Sequence, residues 1–207
     1  MQNDALIFDL DGTLWNACAA SAKGWNVGFA KLGINKKVTT EQIESIAGNP
    51  FDKCIEILFP GLEKQYPQLF DVLEENEIEV LKSEGGTIYE GVIEGLNDLS
   101  KKYKIFIVSN CQEWYLKLFL KFSGIEKLLT GYDCYGMSGI SKGEMLKRIQ
   151  RKFSLKNPVY IGDTASDESS AKSAEMEFVH VFYGFGSPKN KAKSFASFGE
   201  LKNSFIV

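Results

Sequence analysis

The chain has 207 residues, of which 44% are hydrophobic and 25% are charged, and its formal net charge is −3. That length suits one good core with a second small subdomain, and the composition is typical of a soluble globular protein. The mild acidity argues against nucleic acid or an anionic membrane as the main partner. The first residues form neither a long apolar run nor a basic, apolar leader, so we expect a cytoplasmic protein outside the membrane.

The cysteines and the single histidine restrict the possible chemistry. Cys18, Cys54, Cys111 and Cys134 are scattered without a C-x-x-C pair, which predicts reduced thiols and neither a disulfide framework nor a zinc site. His180 lies in the segment EFVHVFYG, where we expect a strand, so catalysis by histidine is nearly excluded. Because no histidine is near Cys111 in sequence, we assign that thiol no catalytic role.

Short apolar runs that end in small or polar residues predict the strands. They are apolar on both faces, as buried parallel strands are. Three segments between the first and third runs repeat apolar residues at helical spacing: Ile93–Leu99, Trp114–Phe122 and Met145–Phe153. Strands alternating with such helices predict a doubly wound parallel α/β sheet. Ligands of such sheets bind at the carboxyl ends of the strands. The runs are Leu6–Phe8, Ile105–Val108, Val159–Ile161 and Phe178–Tyr183.

One region interrupts this alternation. From about Trp15 to Gly86 the sequence contains helical patterns punctuated by glycine and proline, and no convincing strand. We therefore predict a core domain of residues 1–14 and 87–207, with an inserted helical domain of residues 15–86. Beyond Gly186 the sequence predicts a basic loop followed by a short final helix.

The first strand leads directly into the sequence DLDGT, in which Asp9 and Asp11 are two residues apart. An extended chain points both side chains to one side, where like charges repel unless a cation lies between them. No basic residue is near in sequence, and Mg²⁺ prefers carboxylates, water and phosphate oxygens. An ionised aspartate can attack phosphorus, while a second carboxyl group serves as acid and then as base. The pair therefore predicts Mg²⁺-dependent phosphoryl transfer.

Two further motifs accompany DLDGT in chain order. Ser109 ends the segment IFIVSN, and YIGDTASD occupies residues 160–167. This ordered set resembles the haloacid dehalogenase superfamily of phosphotransferases. The position of the insert is similar to that in phosphoglycolate phosphatases and β-phosphoglucomutases. The resemblance implies a Rossmann-like core, a helical cap and a phosphoric monoester hydrolase.

The resemblance also implies roles for the first motif. Asp9 matches the nucleophile that becomes aspartyl-phosphate and contributes to the metal site. Asp11 matches the acid/base, and its backbone carbonyl matches a second metal contact. The glycine permits a tight turn, and the threonine hydroxyl can bond back to the loop. Phosphate contacts are expected from Leu10, Gly12 and Thr13.

The later motifs supply the remaining expected contacts. Ser109 matches the hydroxyl that, with the N–H of Asn110, binds the transferring phosphoryl oxygens. Asp163 matches the remaining carboxylate ligand of the metal. Asp167, four residues on and on the same helical face, matches a supporting acid.

A fixed cation for the phosphoryl group is expected at Lys142, in the segment GISKGEMLKRI at a predicted helix start. In the commoner family pattern proline follows this lysine, whereas here Gly143 and Glu144 follow it. Lys147 is the alternative position for the phosphate-binding lysine.

The insert indicates what size of substrate to expect. A cap over the strand ends excludes bulk water and limits the substrate to what fits beneath it, which favours a small phosphorylated metabolite. The sequence GNPFDK at residues 48–53 resembles the substrate-facing cap loop of the family, with Asn49 and Lys53 as candidate contacts. Alternatively, this segment only ends one helix and begins the next.

For the oligomeric state, we expect a monomer or weak homodimer.

Other functions remain open on the sequence. A phosphomutase of the β-phosphoglucomutase type would use the same chemistry but return the phosphoryl group to a sugar. A dehalogenase is less consistent with these motifs, because the family's dehalogenases lack an acid equivalent to Asp11 and need no metal. A phospho-aspartate switch without turnover belongs to another class, but its receiver fold has no helical insert after the first strand.

Overall fold

The computed structural model describes residues 3–206 and contains a six-stranded parallel sheet with the order β5-β4-β1-β6-β7-β8. A separate antiparallel ribbon is formed by β2 and β3. The doubly wound sheet predicted from the sequence is confirmed. In this part of the chain the strands are β1 (Ala5–Phe8), β2 (Trp15–Asn16), β3 (Thr87–Ile88), β4 (Lys104–Ser109), β5 (Gly131–Cys134), β6 (Pro158–Gly162), β7 (Glu177–Val181) and β8 (Lys193–Phe195).

Helices connect the strands and fill the insert. Within residues 3–206, no helix combines the length and the apolar character needed to span a bilayer. The insert contains α1 (Cys18–Lys31), α2 (Thr40–Ile46), α3 (Phe51–Leu58), α4 (Leu62–Gln65) and α5 (Leu69–Glu84). After β3 come α6 (Val92–Leu99), α7 (Glu113–Ser123), α8 (Tyr135–Ser138), α9 (Lys142–Lys152), α10 (Ala165–Ser173) and α11 (Phe198–Ile206).

Helices cover both faces of the main sheet, which explains why its strands are apolar throughout. In β1, Leu6 and Phe8 belong to an apolar cluster that includes side chains of α6, α7 and α11. Ala5 and Ile7 point the other way, into a cluster with side chains of α9 and α10. All four residues of β1 are fully buried, so this strand lies at the centre of the fold.

The four predicted strands all form, with small differences at their ends. The fourth ends at Val181 and not at Tyr183, because the chain turns after Val181. His180 lies in β7, as predicted. Two short edge strands, β5 and β8, were not predicted, and β8 lies within the segment expected to be a basic loop. The final helix predicted after that loop is α11.

The expectation that residues 15–86 contain no strand is wrong. Trp15 pairs with Ile88, and Asn16 pairs with Thr87, so the ribbon joins the beginning of the insert to the chain that follows it. Strands of two residues are too short for an alternating pattern to reveal them. The ribbon holds the two connections between insert and sheet side by side.

The insert has an apolar cluster of its own. Its longest helices, α1 and α5, approach so closely at Gly24 that an added Cβ would lie 2.5 Å from the Cα of Glu77. Buried members of the cluster include Trp25, Phe29, Ile55, Leu69 and Leu73.

The division into a core domain of residues 1–14 and 87–207 and a cap domain of residues 15–86 stays a prediction. Residues 1, 2 and 207 lie outside the described residues.

Candidate active site

A tight turn follows β1 and positions the first motif. The carbonyl of Leu10, which is buried, accepts hydrogen bonds from the N–H groups of Thr13 and Leu14 at 3.2 and 2.8 Å. Gly12 has φ of +75°, and a Cβ there would lie 2.2 Å from Oδ2 of Asp163. Both the turn and the close approach therefore require glycine.

The ends of β1 and β6 bring three acids together. Asp9, Asp163 and Asp167 each offer an oxygen, and these oxygens all lie within 4.8 Å of one another. Phe8 pairs with Ile161 across the two strands, which explains why the residues after them meet. All three side chains are almost fully buried.

Burying these carboxylates in their ionised form is energetically unfavourable unless a cation lies among them. Burial raises the pKa of Asp9 well above its ordinary value, and the charge of Asp167 adds to the effect. The pKa of Asp163 is raised to about 7, again by burial first and then by Asp167. Oδ2 of Asp9 is buried without a hydrogen-bond partner among residues 3–206. An orphaned carboxylate oxygen beside two further acids fits a hard divalent cation such as Mg²⁺.

Lys142 is buried at the start of α9 and contacts two of these acids. Its Nζ lies 3.0 Å from Oδ1 of Asp9 and 2.7 Å from Oδ1 of Asp167. Burial opposes its charge, but the carboxylates of Asp167 and Asp9 outweigh that effect and raise its pKa. Lys147 instead lies on the surface, where it pairs with Glu144. The geometry thus places Lys142 in the acid cluster and Lys147 away from it.

Asp167 is held more firmly than the other two acids. Its Oδ2 accepts hydrogen bonds from the N–H and hydroxyl of Thr164, at 3.0 and 2.6 Å, in a capping box that begins α10. Its Oδ1 also accepts from the phenol of Tyr160 at 3.1 Å. Burial raises its pKa, but Lys142 and these hydrogen bonds more than offset the effect and lower it. Asp167 is therefore suited to orient Lys142.

Asp11 lies apart from the three-acid cluster and has a partner that the sequence did not indicate. The phenol of Tyr115, on α7, donates a hydrogen bond of 2.5 Å to Oδ1 of Asp11. Burial raises the pKa of Asp11 to about 6, although this hydrogen bond lowers it. No local pattern links residues 104 positions apart, so sequence reasoning could not have found Tyr115.

The second motif lies at the end of β4, beside β1. Ser109 is buried, and its Oγ accepts a hydrogen bond from the N–H of Cys111 at 3.2 Å. The side chain of Asn110 donates to the carbonyl of Gly48 at 2.7 Å, which joins the sheet edge to the insert. Asn49 lines the adjoining cavity, whereas Lys53 is exposed on α3 and does not line it.

A cavity of about 80 Å³ lies between the sheet edge and the insert. Asp11 lines it from the core, and the insert contributes side chains from α1, α2, α3 and α5. Four aromatic side chains and two isoleucines are among the lining residues. Glu77 of α5 is its most deeply buried acid and is only 5% exposed.

Comparisons with known proteins agree with this geometry. A family model described as haloacid dehalogenase-like hydrolase matches residues 6–181. A phosphoglycolate phosphatase from Rhodobacter capsulatus is 28% identical, with 87% of this chain and 85% of that protein covered.

Solved structures share the fold. A "predicted phosphoglycolate phosphatase" from Haemophilus somnus superposes with a TM-score of 0.84 at 21% identity, covering 99% of this chain and 98% of that one. A "predicted phosphatase" from Clostridium acetobutylicum gives a TM-score of 0.82 at 18% identity, covering 100% and 99%. At these identities the likeness concerns the arrangement of the chain.

Proposed function

The chain belongs to the haloacid dehalogenase-like hydrolase family and is a phosphatase of that family, and on this premise we propose how it works. It hydrolyses a small phosphorylated metabolite in the presence of Mg²⁺, through an aspartyl-phosphate intermediate. The observation that carries the proposal is the buried cluster of Asp9, Asp163 and Asp167 with Lys142 beside it. The family predicted from the sequence is confirmed, whereas the roles of individual residues are part of this proposal.

In the first step, an oxygen of Asp9 attacks phosphorus and the bond between phosphorus and the ester oxygen breaks. The departing oxygen needs a proton, which the carboxyl group of Asp11 donates. Its pKa of about 6 leaves a protonated fraction near neutral pH. Its neighbour Tyr115 fixes the direction of that carboxyl group.

In the second step, a water molecule attacks phosphorus and the bond to Asp9 breaks, which releases inorganic phosphate. Asp11, now ionised, accepts the proton of that water. Lys142, the hydroxyl of Ser109 and the N–H of Asn110 hold the phosphoryl oxygens during both steps. Phosphoryl transfer depends mainly on such positioning and charge stabilisation.

Mg²⁺ would be held by Asp9, by Asp163 and by the carbonyl of Asp11, with Asp167 in support. When bound, it supplies positive charge that offsets the charges of the acids and of the phosphoryl oxygens. The orphaned Oδ2 of Asp9 supports this assignment.

Phosphate release from a panel of small esters tests the proposal, with Mg²⁺ or with a chelator. The panel includes p-nitrophenyl phosphate and 2-phosphoglycolate, the latter because relatives are named for it. We expect Mg²⁺-dependent release by the wild type and none by Asp9→Asn, since an amide is a far poorer nucleophile and metal ligand. Asp71→Asn, the same change at an exposed position on α5, is the matched control and should behave as wild type.

Other outcomes would favour the alternatives. Turnover that requires a bisphosphorylated sugar as activator would indicate a phosphomutase. A long-lived phosphorylated Asp9 without release would indicate a switch. Equal activity in wild type and Asp9→Asn would contradict the mechanism itself.

A further inference from the structure

We propose that the substrate is the phosphate ester of an amino alcohol, and that its ammonium group binds beside Glu77 in the cavity under the insert. The inference rests on the proposed function, because it concerns the part of the substrate that leaves with the ester oxygen. Asp11, which the proposed mechanism places at the ester oxygen, lines the same cavity, and this carboxyl group is the link between the two sites.

Glu77 is a charged group in an unusual place. It is 5% exposed, it lies on α5, and its Oε2 accepts a hydrogen bond of 2.8 Å from the indole N–H of Trp25 on α1. The hydroxyl of Ser21, also on α1, favours the charged form of Glu77 and lowers its pKa. The negative charges of Asp11 and Glu74 oppose the ionisation of Glu77.

The contacts with α1 do not by themselves require a carboxylate. A glutamine oxygen would accept the indole hydrogen bond equally well and would avoid placing a charge out of water. Burial raises the pKa of Glu77 to about 7, so the hydrogen bonds to α1 do not offset the cost of placing its charge out of water. A bound cation would supply the missing stabilisation.

The charges around the cavity favour a cation over an anion. Among the described residues, the lining includes two acids, Asp11 and Glu77, and no lysine, arginine or histidine. A substrate with a second negative group, such as the carboxylate of 2-phosphoglycolate, would face both acids without a partner. A protonated amine or a quaternary ammonium group would instead pair with Glu77.

The aromatic side chains of the lining fit the same ligand. Trp25 and Phe51 meet edge to face with ring centroids 5.6 Å apart, and Trp114 and Tyr115 do so at 5.5 Å. All four line the cavity. Aromatic faces attract ammonium groups, and most strongly where water is excluded. The volume of about 80 Å³ suits a small group such as ethanolamine or choline.

The test compares kcat/KM of the wild type for phosphoethanolamine, phosphocholine, glycerol 3-phosphate and 2-phosphoglycolate. We expect at least one ammonium ester to exceed both of the others by about tenfold or more. In Glu77→Gln the ratio of kcat/KM for the ammonium ester to that for glycerol 3-phosphate should fall by about tenfold. Glu75→Gln, an exposed position on the same helix, is the matched control and should keep the wild-type ratio.

Several results would overturn the inference while leaving the proposed function intact. They are a preference for 2-phosphoglycolate or glycerol 3-phosphate, or an equal loss on all esters in a folded Glu77→Gln protein. If that variant does not fold, inhibition of the wild type by ethanolamine or by tetramethylammonium supports the inference, and the absence of inhibition by both contradicts it. Failure of the proposed function is distinguishable, because no ester, p-nitrophenyl phosphate included, would then show Asp9-dependent release.

Discussion

The phenol of Tyr115 is hydrogen-bonded to the carboxyl group of Asp11 across 2.5 Å, although the two residues lie on different elements of the core. Burial and the charge of Asp11 raise the pKa of Tyr115 well above its ordinary value, so the phenol stays a donor at neutral pH. In the proposed mechanism, a fixed donor on one oxygen leaves the other oxygen of Asp11 to exchange a proton with the ester.

Tyr115→Phe should therefore impair protonation of the leaving group more than substrate binding. We expect kcat/KM for an alkyl phosphate to fall by about tenfold to a hundredfold. The loss for p-nitrophenyl phosphate should be smaller, because nitrophenolate departs without a proton. Tyr132→Phe, which removes a phenol that contacts the exposed acid Glu126, is the control. Equal losses on both esters would mean that Tyr115 acts only through packing.

Lys142→Met should destabilise the protein as well as inactivate it. The substitution leaves Asp9 and Asp167 buried without their cation, which costs about 3–5 kcal/mol when one partner of a buried pair is removed. Denaturant unfolding without Mg²⁺ measures this loss. Lys147→Met removes only a surface pair and should change the free energy of unfolding by less than about 1 kcal/mol. The reverse order would contradict the buried contacts of Lys142 with Asp9 and Asp167.

Gly12→Ala and Gly33→Ala separate backbone strain from damage to the acid cluster. Both glycines have positive φ, +75° and +66°, so each alanine should cost about 1–2 kcal/mol. Only at Gly12 would the new Cβ meet Asp163, whereas nothing lies within 4 Å at Gly33. We expect Gly12→Ala to lose Mg²⁺-dependent activity and Gly33→Ala to retain it. Equal activity in the two variants would contradict the proposed role of Asp163.

Mg²⁺ should stabilise the folded protein through the three acids. At a concentration 100-fold above its dissociation constant, a ligand that binds only the folded state adds about 2.7 kcal/mol. Thermal unfolding with and without Mg²⁺ measures the shift. Asp163→Asn should abolish most of it, and Asp71→Asn, at an exposed position on α5, should leave it unchanged. A full shift in Asp163→Asn would place the metal elsewhere.

Glu77→Gln should make the protein more stable at alkaline pH. The pKa of Glu77 is raised from 4.5 to about 7 in the folded state, chiefly by burial, so the folded state binds its proton more tightly than the unfolded chain does. The resulting penalty is absent below pH 4.5, grows as pH rises and is complete above about pH 7. It amounts to about 3 kcal/mol.

Denaturant unfolding of the two proteins at pH 5 and pH 8 tests this expectation. The stability gain of the variant should be larger at pH 8 by about 2–3 kcal/mol. A gain independent of pH would mean that Glu77 is not protonated in the folded protein near pH 5. If Glu77→Gln both gains stability and loses its preference for the ammonium ester, the two results together would indicate that Glu77 serves ligand binding at the expense of stability.

The sequence was most informative where chemistry and chain geometry coincide. Asp9, Ser109 and Asp163 each follow a run of buried apolar residues, and parallel strands bring their carboxyl ends to one edge of a sheet. Their proximity could therefore be predicted without coordinates. The placement of Lys142 needed the family resemblance as well, because a lysine at a helix start is more often solvated.

Other features depend on contacts between distant segments, which no local pattern records. Tyr115 and Glu77 both lie on amphipathic helices, where they could not be told from ordinary helix residues. The edge strand β8 has only three residues in a basic segment, and its formation depends on pairing with β7. Lys53 is exposed because α3 packs its other face against the apolar cluster of the insert. That orientation of α3 cannot be predicted without the folded structure.

The two-residue ribbon of β2 and β3 bears on how such a chain could have been assembled. Trp15 and Asn16 lie directly opposite Ile88 and Thr87, so the intervening helices begin and end at one spot. A short hairpin turn could bridge that spot and leave the strand order of the parallel sheet unchanged. The helical segment is thus exchangeable in principle, and related chains could acquire new specificities by replacing it whole while Asp9 and its partners stay where they are.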